Sequence, residues 1–148
     1  MKRFFFILGA AALCAFAAFA AGGAPAAEPI TLAENGAASF VITLPENPTA
    51  VQRSAAAELA KYLGEITGAD FPILCETDAP QGKILAIGPS KTTAALLAEH
   101  GGQPRDWPYD AVRIAQCGES VVLTGHPTRG PLYAVYTFLE NDLGCRWW

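Results

Sequence analysis

Apolar residues between Pro48 and Gly68 recur at spacings of four and three, which is the period of an amphipathic helix. The stripe consists of Val51, Ala55, Leu59, Leu63 and Ile66. Thr49 and Gln52 form a capping-box pattern at its start, and Gly68 is suited to end it in the left-handed conformation. Polar residues, Glu58 among them, fall on the opposite face. The pattern therefore predicts a helix with one buried side and one solvated side.

Short apolar runs on either side of this helix indicate strands. Residues 83–88 are nearly all apolar, which is typical of a central strand buried on both faces. Residues 71–75 have a proline near their start, which favours the edge of a sheet. Asn35-Gly36 is a strong turn signal between the apolar segments 30–32 and 38–44, and it predicts a hairpin.

The second half of the chain continues the alternation of strands and helices. Ser90 is placed to cap a second helix that runs to about residue 99. Residues 110–115 and 119–124 read as two strands joined by a tight turn. Pro131 suits the first turn of a third helix, which stops at Gly144. The order predicts an α/β (α+β) two-layer sandwich, with a mixed sheet of about five to six strands and three helices.

Residues 1–27 have the pattern of a signal peptide followed by a leader. Lys2 and Arg3 precede an uncharged apolar run, and Ala18-Phe19-Ala20 supplies small residues for cleavage. The alternative is an uncleaved anchor, but the run is mostly alanine, a weak membrane residue. We expect cleavage, export to the periplasm or the exterior, and no stable membrane anchor. The accessory α/β domain then spans residues 28–144.

Charge excludes one class of partner. Removal of residues 1–20 takes away Lys2 and Arg3, so eight basic residues remain against 14 acidic ones, a net charge of −6. The basic residues are scattered singly. A nucleic-acid partner would require a basic stripe or patch, so none is expected.

The cysteines predict neither a metal site nor a defined disulfide. Loss of Cys14 with the signal leaves Cys75, Cys117 and Cys145, an odd number whose pairing the sequence leaves open. Their spacing matches no zinc site, and we expect no metal and no cofactor.

Two loops supply the candidate ligand-binding residues. Arg129 lies in the glycine-flanked loop 125–130 directly before the third helix, where an anion can bind, although Pro131 removes one amide donor. Trp107 and Tyr109 form an aromatic pair in the preceding loop, and sugar rings stack on such faces. The alternative, which the usual burial of tryptophan favours, is that Trp107 fixes its loop to the core.

The last residues are rich in aromatic side chains. Arg146, Trp147 and Trp148 follow the glycine that ends the third helix. Either the tryptophans fold back over this domain, or residues 145–148 begin a second domain against which they pack. We expect the second arrangement, with these three residues at a domain interface.

Several blocks of sequence, in order from residue 30 to the end, carry a family resemblance. They are the helix 55–63 with Ile66-Thr67-Gly68, the strand 84–88, Tyr109 to Ile114, Leu123-Thr124-Gly125, Gly130 to Glu140, and Gly144-Cys145-Arg146-Trp147. Together they resemble the N-terminal domain that precedes the barrel in α-glucuronidases of glycoside hydrolase family 67 and β-hexosaminidases of family 20. The strongest likeness is to exported bacterial proteins whose barrel is domain of unknown function 4838.

The resemblance implies a supporting role in carbohydrate metabolism. Such enzymes carry their catalytic carboxylates on the barrel, so no catalytic residue is assigned to this chain. Glu140 and Asp142 lie two apart on a predicted helix and face different sides, unlike a hydrolytic pair. We expect a truncated, non-catalytic accessory domain whose partner is the C-terminal barrel of a glycoside hydrolase, with polysaccharide as a further partner. The alternative is an independent carbohydrate-binding module.

Overall fold

The computed structural model describes residues 29–147, so the predicted signal peptide and Trp148 lie outside the described residues. None of the helices in this part of the chain is long and apolar enough to cross a membrane. The elements are, in chain order, β1 (Ala33–Glu34), β2 (Ala37–Ala38), β3 (Val41–Leu44), α1 (Ala50–Thr67), β4 (Ile73–Cys75), β5 (Ile84–Ile87), α2 (Lys91–Ala98), β6 (Val112–Cys117), β7 (Ser120–Gly125) and α3 (Gly130–Asn141).

Five strands form one mixed sheet in the order β4-β3-β5-β7-β6. The pairs β4–β3, β3–β5 and β5–β7 are parallel, while β6 runs antiparallel to β7. The apolar run at residues 83–88 provides the central strand, as predicted, and the proline-containing segment 71–75 provides an edge. The prediction of an α/β sandwich with a mixed sheet and three helices is confirmed.

The helices divide between the two faces of the sheet. Leu85 and Ile87 point into the larger core, which α1 and α3 cover. Ile84 and Ala86 alternate with them and pack on the other side with Leu97 of α2. The predicted pair of layers is thus formed by the sheet with α1 and α3, and α2 adds a partial third layer on the second face.

Gln52 is a buried polar residue on the inner side of α1. Its Oε1 accepts a hydrogen bond from the Thr49 amide at 2.9 Å, and its Nε2 donates to the carbonyls of Ile87 at 3.4 Å and Pro89 at 3.1 Å. Gly88 has a φ of 72°, and a Cβ there would lie 2.6 Å from Gln52 Nε2. The predicted capping box is therefore present and also ties α1 to the end of the central strand.

The predicted N-terminal hairpin forms with different strands. Asn35 and Gly36 have φ values of 52° and 76°, as a type I′ turn requires, but they join only β1 and β2. The segment after them, β3, leaves the hairpin and pairs in parallel with β4 and β5. Ile42 and Thr43 are both buried although they face opposite sides. A two-stranded hairpin cannot cover both faces, whereas the central sheet can.

Two boundary predictions and one burial prediction also differ from the structure. The β6–β7 turn lies at Gly118 and Glu119, one to two residues beyond the predicted position, because Gly118 supplies the positive φ of 60°. The third helix ends at Asn141 rather than at Gly144. Ile66, placed on the buried stripe of α1, is 50% exposed, since it lies in the last turn of the helix.

The start of α2 is held by two side chains. Ser90 caps the helix as predicted, accepting from the Thr93 amide at 3.0 Å. Glu76 accepts from the Thr92 amide at 3.0 Å. Partial burial raises the pKa of the Glu76 carboxyl, but its hydrogen bonds to Thr92 and Ser90 and the charge of Lys91 outweigh burial, so the pKa lies below its ordinary value.

Candidate functional site

The outer side of α3 borders an open groove of about 600 Å³. This site is called the α3 groove below. Its lining residues come from α1, the start of β6, α3 and the segment after α3; they are Tyr62, Asp110, Val112, Tyr133, Tyr136, Thr137, Glu140 and Trp147.

Close backbone packing at glycines brings the start of β6 against α3. The amide of His126, in the loop after β7, donates to the carbonyl of Ala111 at 2.9 Å. A Cβ at Gly125 would collide with that carbonyl, and one at Gly130 would collide with the backbone of Gly125. Only residues without side chains allow this approach. It places Asp110 and Val112 beside the first turn of α3.

The floor of the groove is aromatic. The Trp147 ring lies 4.9 Å from that of Tyr62 and 5.3 Å from that of Tyr136, with interplanar angles of 73° and 87°. Edge-to-face contacts of this kind are attractive because ring edges and faces carry opposite partial charge. The Tyr136 hydroxyl donates to Glu58 Oε2 at 3.0 Å. Burial, and next this hydrogen bond, raise the pKa of Tyr136 above its ordinary value.

Exposed apolar side chains are concentrated at this surface. The described part of the chain exposes six large ones, and Tyr109, Val112, Tyr133 and Trp147 lie in or beside the α3 groove. Tyr133 and Trp147 are 39% and 42% exposed. Soluble domains seldom gather such residues without an interaction to serve.

An arginine lies beside each end of the groove without lining it, Arg129 near the start of α3 and Arg146 near its end. Near the start of α3, the Arg129 guanidinium lies 5.3 Å from the centre of the Tyr109 ring. The pKa of Arg129 is raised above its ordinary value, first by its interaction with the Tyr133 hydroxyl and least by the charge of Asp110. Near the end of α3, Arg146 Nη1 donates to the backbone carbonyl of Glu140 at 3.0 Å.

The candidate residues from the sequence divide between two locations. Arg129 and Tyr109 come together at one end of the groove. Arg146 and Trp147 lie at its other end, and Trp148 lies outside the described residues. Trp107 is half-buried in its loop and does not line the groove.

Sequence reasoning missed most of the groove. The sequence pattern indicates no role for Tyr133 and places Glu58 on the solvated face of α1, although Glu58 accepts a hydrogen bond from Tyr136 of the groove. One signal was available: α3 has twelve residues and a single charged one, Glu140. A helix on a protein surface normally carries more charge on its outer face.

Within residues 29–147, the three cysteines form no disulfide with one another. Cys75, Cys117 and Cys145 are free thiols. Burial raises the pKa of Cys117, although the charge of Arg113 opposes it. No group of three or more His, Cys, Asp or Glu side chains in this range is arranged to hold a metal ion.

Comparison with known proteins adds no assignment. No protein-family model matches the chain, and no curated protein matches it either. The family resemblance stays a prediction that rests on the sequence blocks described above.

Proposed function

We propose that this protein is a non-catalytic accessory domain of an exported carbohydrate-active enzyme of the glycoside hydrolase type, and that its working surface is the α3 groove. The observation that carries the proposal is the concentration of exposed aromatic side chains on the outer side of α3. Such a surface is suited to an interaction, and the catalytic chemistry belongs to a barrel domain of the same protein.

The family resemblance and the groove involve the same stretches of sequence. Tyr62 belongs to the first resembling helix, Asp110 and Val112 to the block that starts at Tyr109, and Tyr133 and Tyr136 to the block that starts at Gly130. The stretches that support kinship with glycoside hydrolase accessory domains therefore also build the exposed surface. This coincidence supports an interaction role in such an enzyme.

The two carboxylates that line the groove, Asp110 and Glu140, lie toward opposite ends of α3, which supports a non-catalytic role. Asp110 lies beside the first turn of α3, while Glu140 lies near its end. Tyr133, in the first turn of α3, and Glu140 are separated by about 10 Å along the axis of α3, because an α-helix rises about 1.5 Å per residue. Hydrolytic pairs stand about 5–5.5 Å apart in retaining enzymes and about 6.5–9.5 Å apart in inverting ones.

The deciding experiment reads the genomic DNA downstream of Trp148 and assays the complete gene product. We expect a continuing barrel, glycoside hydrolysis by the longer protein, and no turnover of aryl glycosides by the present chain. Turnover by the present chain that is lost on Asp110→Asn or Glu140→Gln would overturn the proposal. A reading frame that ends at Trp148 would overturn it too.

A second candidate, an independent carbohydrate-binding module, is favoured by one observation. Tyr109 is 54% exposed in a loop that also contains Trp107, as a stacking platform requires. Arg129 and His126 already lie against the Tyr109 ring, however, at 5.3 and 5.1 Å. Tight glycan binding by this chain that is lost on Trp107→Ala would establish the module in place of the accessory domain.

A further inference from the structure

The residues that α3 contributes to the groove have the spacing of a helix–helix contact. They lie at positions i, i+3, i+4 and i+7 of the helix and are Tyr133, Tyr136, Thr137 and Glu140. Such a stripe packs on another helix, and the inner side of α3 already buries a separate set of residues in the core. We propose that the occupant of the α3 groove is the α3 of a second copy of this chain, packed antiparallel to the first. The inference names the partner of the working surface and rests on the proposed function only for that role.

The charges of the groove require an occupant that brings cations. Asp110 and Glu140 are exposed and line the groove, and no Lys or Arg among the described residues is part of its lining. Arg129 and Arg146 are exposed as well, and each lies beside one end of the groove. A second copy therefore carries cations on the rim of its own groove, where they face outward toward a neighbouring molecule.

A two-fold axis through the middle of α3 brings these opposite charges together. In an antiparallel pair of helices, the start of one α3 faces the end of the other. Arg129 of one copy then faces Glu140 of the other, and Arg146 faces Asp110. The second copy repeats both contacts in reverse, as an isologous interface requires. The opposite ends of the two helix dipoles also come together in this arrangement.

The aromatic floor fits the centre of such an interface. Trp147 contacts the rings of Tyr62 and Tyr136, yet it remains 42% exposed. Aromatic residues are enriched at the centre of protein–protein interfaces, whereas charged residues are depleted there and belong to the rim. The groove has this arrangement, with rings along its floor and a carboxylate toward each end. A partner with cations alone would satisfy the carboxylates but would also meet Arg129 and Arg146.

Sedimentation equilibrium of the purified protein over a series of concentrations tests the proposal. We expect a monomer–dimer equilibrium with a Kd on the order of 100 μM, because an interface of one helix and its borders is smaller than the standard size. Tyr133→Ala should weaken the dimer at least about fivefold, because Tyr133 is an exposed ring on the helix stripe.

A charge exchange makes the result specific for the antiparallel arrangement. Glu140→Arg and Arg129→Glu should each weaken the dimer at least about tenfold, because each replaces two pairs of opposite charge by pairs of like charge. An equimolar mixture of the two variants should associate about as tightly as the parent, because every pair across the interface again has opposite charges. Both changes suit the helix dipole, with an acid at the start of α3 and a base at its end. Circular dichroism identifies a variant that fails to fold, and Tyr133→Ala then decides.

The open edge of the sheet provides the matched control. Ile73 in β4 is 42% exposed, as is Trp147, and it does not line the groove. Open edge strands are a common route to self-association. Ile73→Lys should leave the Kd of the dimer unchanged. Loss of the dimer in this variant would place the interface at the sheet edge and overturn the inference.

Three further outcomes would overturn it: the protein remains monomeric up to about 1 mM, the groove variants associate as tightly as the parent, or the mixture of charge variants associates no more tightly than each alone. If the longer gene product hydrolyses glycosides while the present chain stays monomeric, this inference fails and the accessory role stands. If the groove forms the dimer and the reading frame ends at Trp148, the accessory role fails and this inference stands.

Discussion

The outer sides of α1 and α3, two helices that share one core, differ in kind. Arg53, Glu58, Lys61 and Glu65 give α1 four charged residues, whereas α3 has only Glu140 and exposes Tyr133. Both helices bury their inner sides equally well, with Leu63 and Leu139 fully inaccessible. The difference lies entirely in what faces outward. The outer side of α1 is mostly charged and contributes one ring, Tyr62, to the groove, whereas the outer side of α3 supplies most of the groove.

The largest expected effect concerns the inner side of α1. Leu63→Ala should lower the free energy of unfolding by about 2–5 kcal/mol, because it leaves a cavity in the larger core. Ile66→Ala on the same helix should change it by less than about 0.5 kcal/mol, since Ile66 is half exposed. Urea unfolding followed by circular dichroism measures both. Equal effects would mean that the inner and outer sides of α1 are assigned wrongly.

A smaller loss of stability is expected where α3 meets β6. Gly125→Ala should cost about 1–3 kcal/mol, because its Cβ would collide with the Ala111 carbonyl and force the backbone apart. The matched control is Gly64→Ala in α1, where a Cβ would lie 3.4 Å from its nearest neighbour. That control should be neutral or stabilising, by up to about 1 kcal/mol, because alanine favours helix. A tolerated Gly125→Ala would contradict the close approach that shapes the groove.

The hydrogen bond that joins the outer sides of α1 and α3 should contribute less to the free energy of unfolding. Tyr136→Phe removes the donor to Glu58 and should cost about 0.5–1.5 kcal/mol. Tyr133→Phe keeps the ring, and no hydroxyl contact to α1 is lost, so it should cost less than about 0.5 kcal/mol. Chemical denaturation at neutral pH compares the two. A Tyr136→Phe variant as stable as the parent would show that the two helices are joined there by packing alone.

The smallest effect on stability is expected at the start of α2, a helix on the other face of the sheet from α1 and α3. In the folded protein, the pKa of Glu76 lies below its ordinary value of 4.5. The contribution of Glu76 to the free energy of unfolding is therefore present above pH 4.5 and is lost as the pH falls through the folded-state pKa. Glu76→Gln should therefore destabilise by less than about 1 kcal/mol at pH 7. The difference from the parent should vanish near pH 2. A constant difference across this range would show that the carboxylate charge plays no part.

The periodic parts of the fold were predictable from the sequence, and the groove was not. The stripe of α1 and the apolar run of β5 report burial directly, because a core demands apolar side chains at fixed spacings. The N-terminal hairpin was assigned the wrong strands because a turn signal does not reveal which long-range partner β3 prefers. The groove joins Tyr62, Asp110 and Tyr133, which are far apart in sequence. Only the packing of α3 against α1 and β6 brings them together.

The central claim is that the outer side of α3, and not the Trp107 loop, is the binding surface of this protein. The most direct test follows the indole N–H signals of Trp147 and Trp107 by nuclear magnetic resonance while the protein concentration is raised, with Trp147→Phe and Trp107→Phe assigning the two signals among the three tryptophans of the chain. Trp147 lines the groove and Trp107 does not, so each reports on one location. We predict a saturable shift of the Trp147 signal and a stationary Trp107 signal. A shift of Trp107 with Trp147 unmoved would contradict the claim.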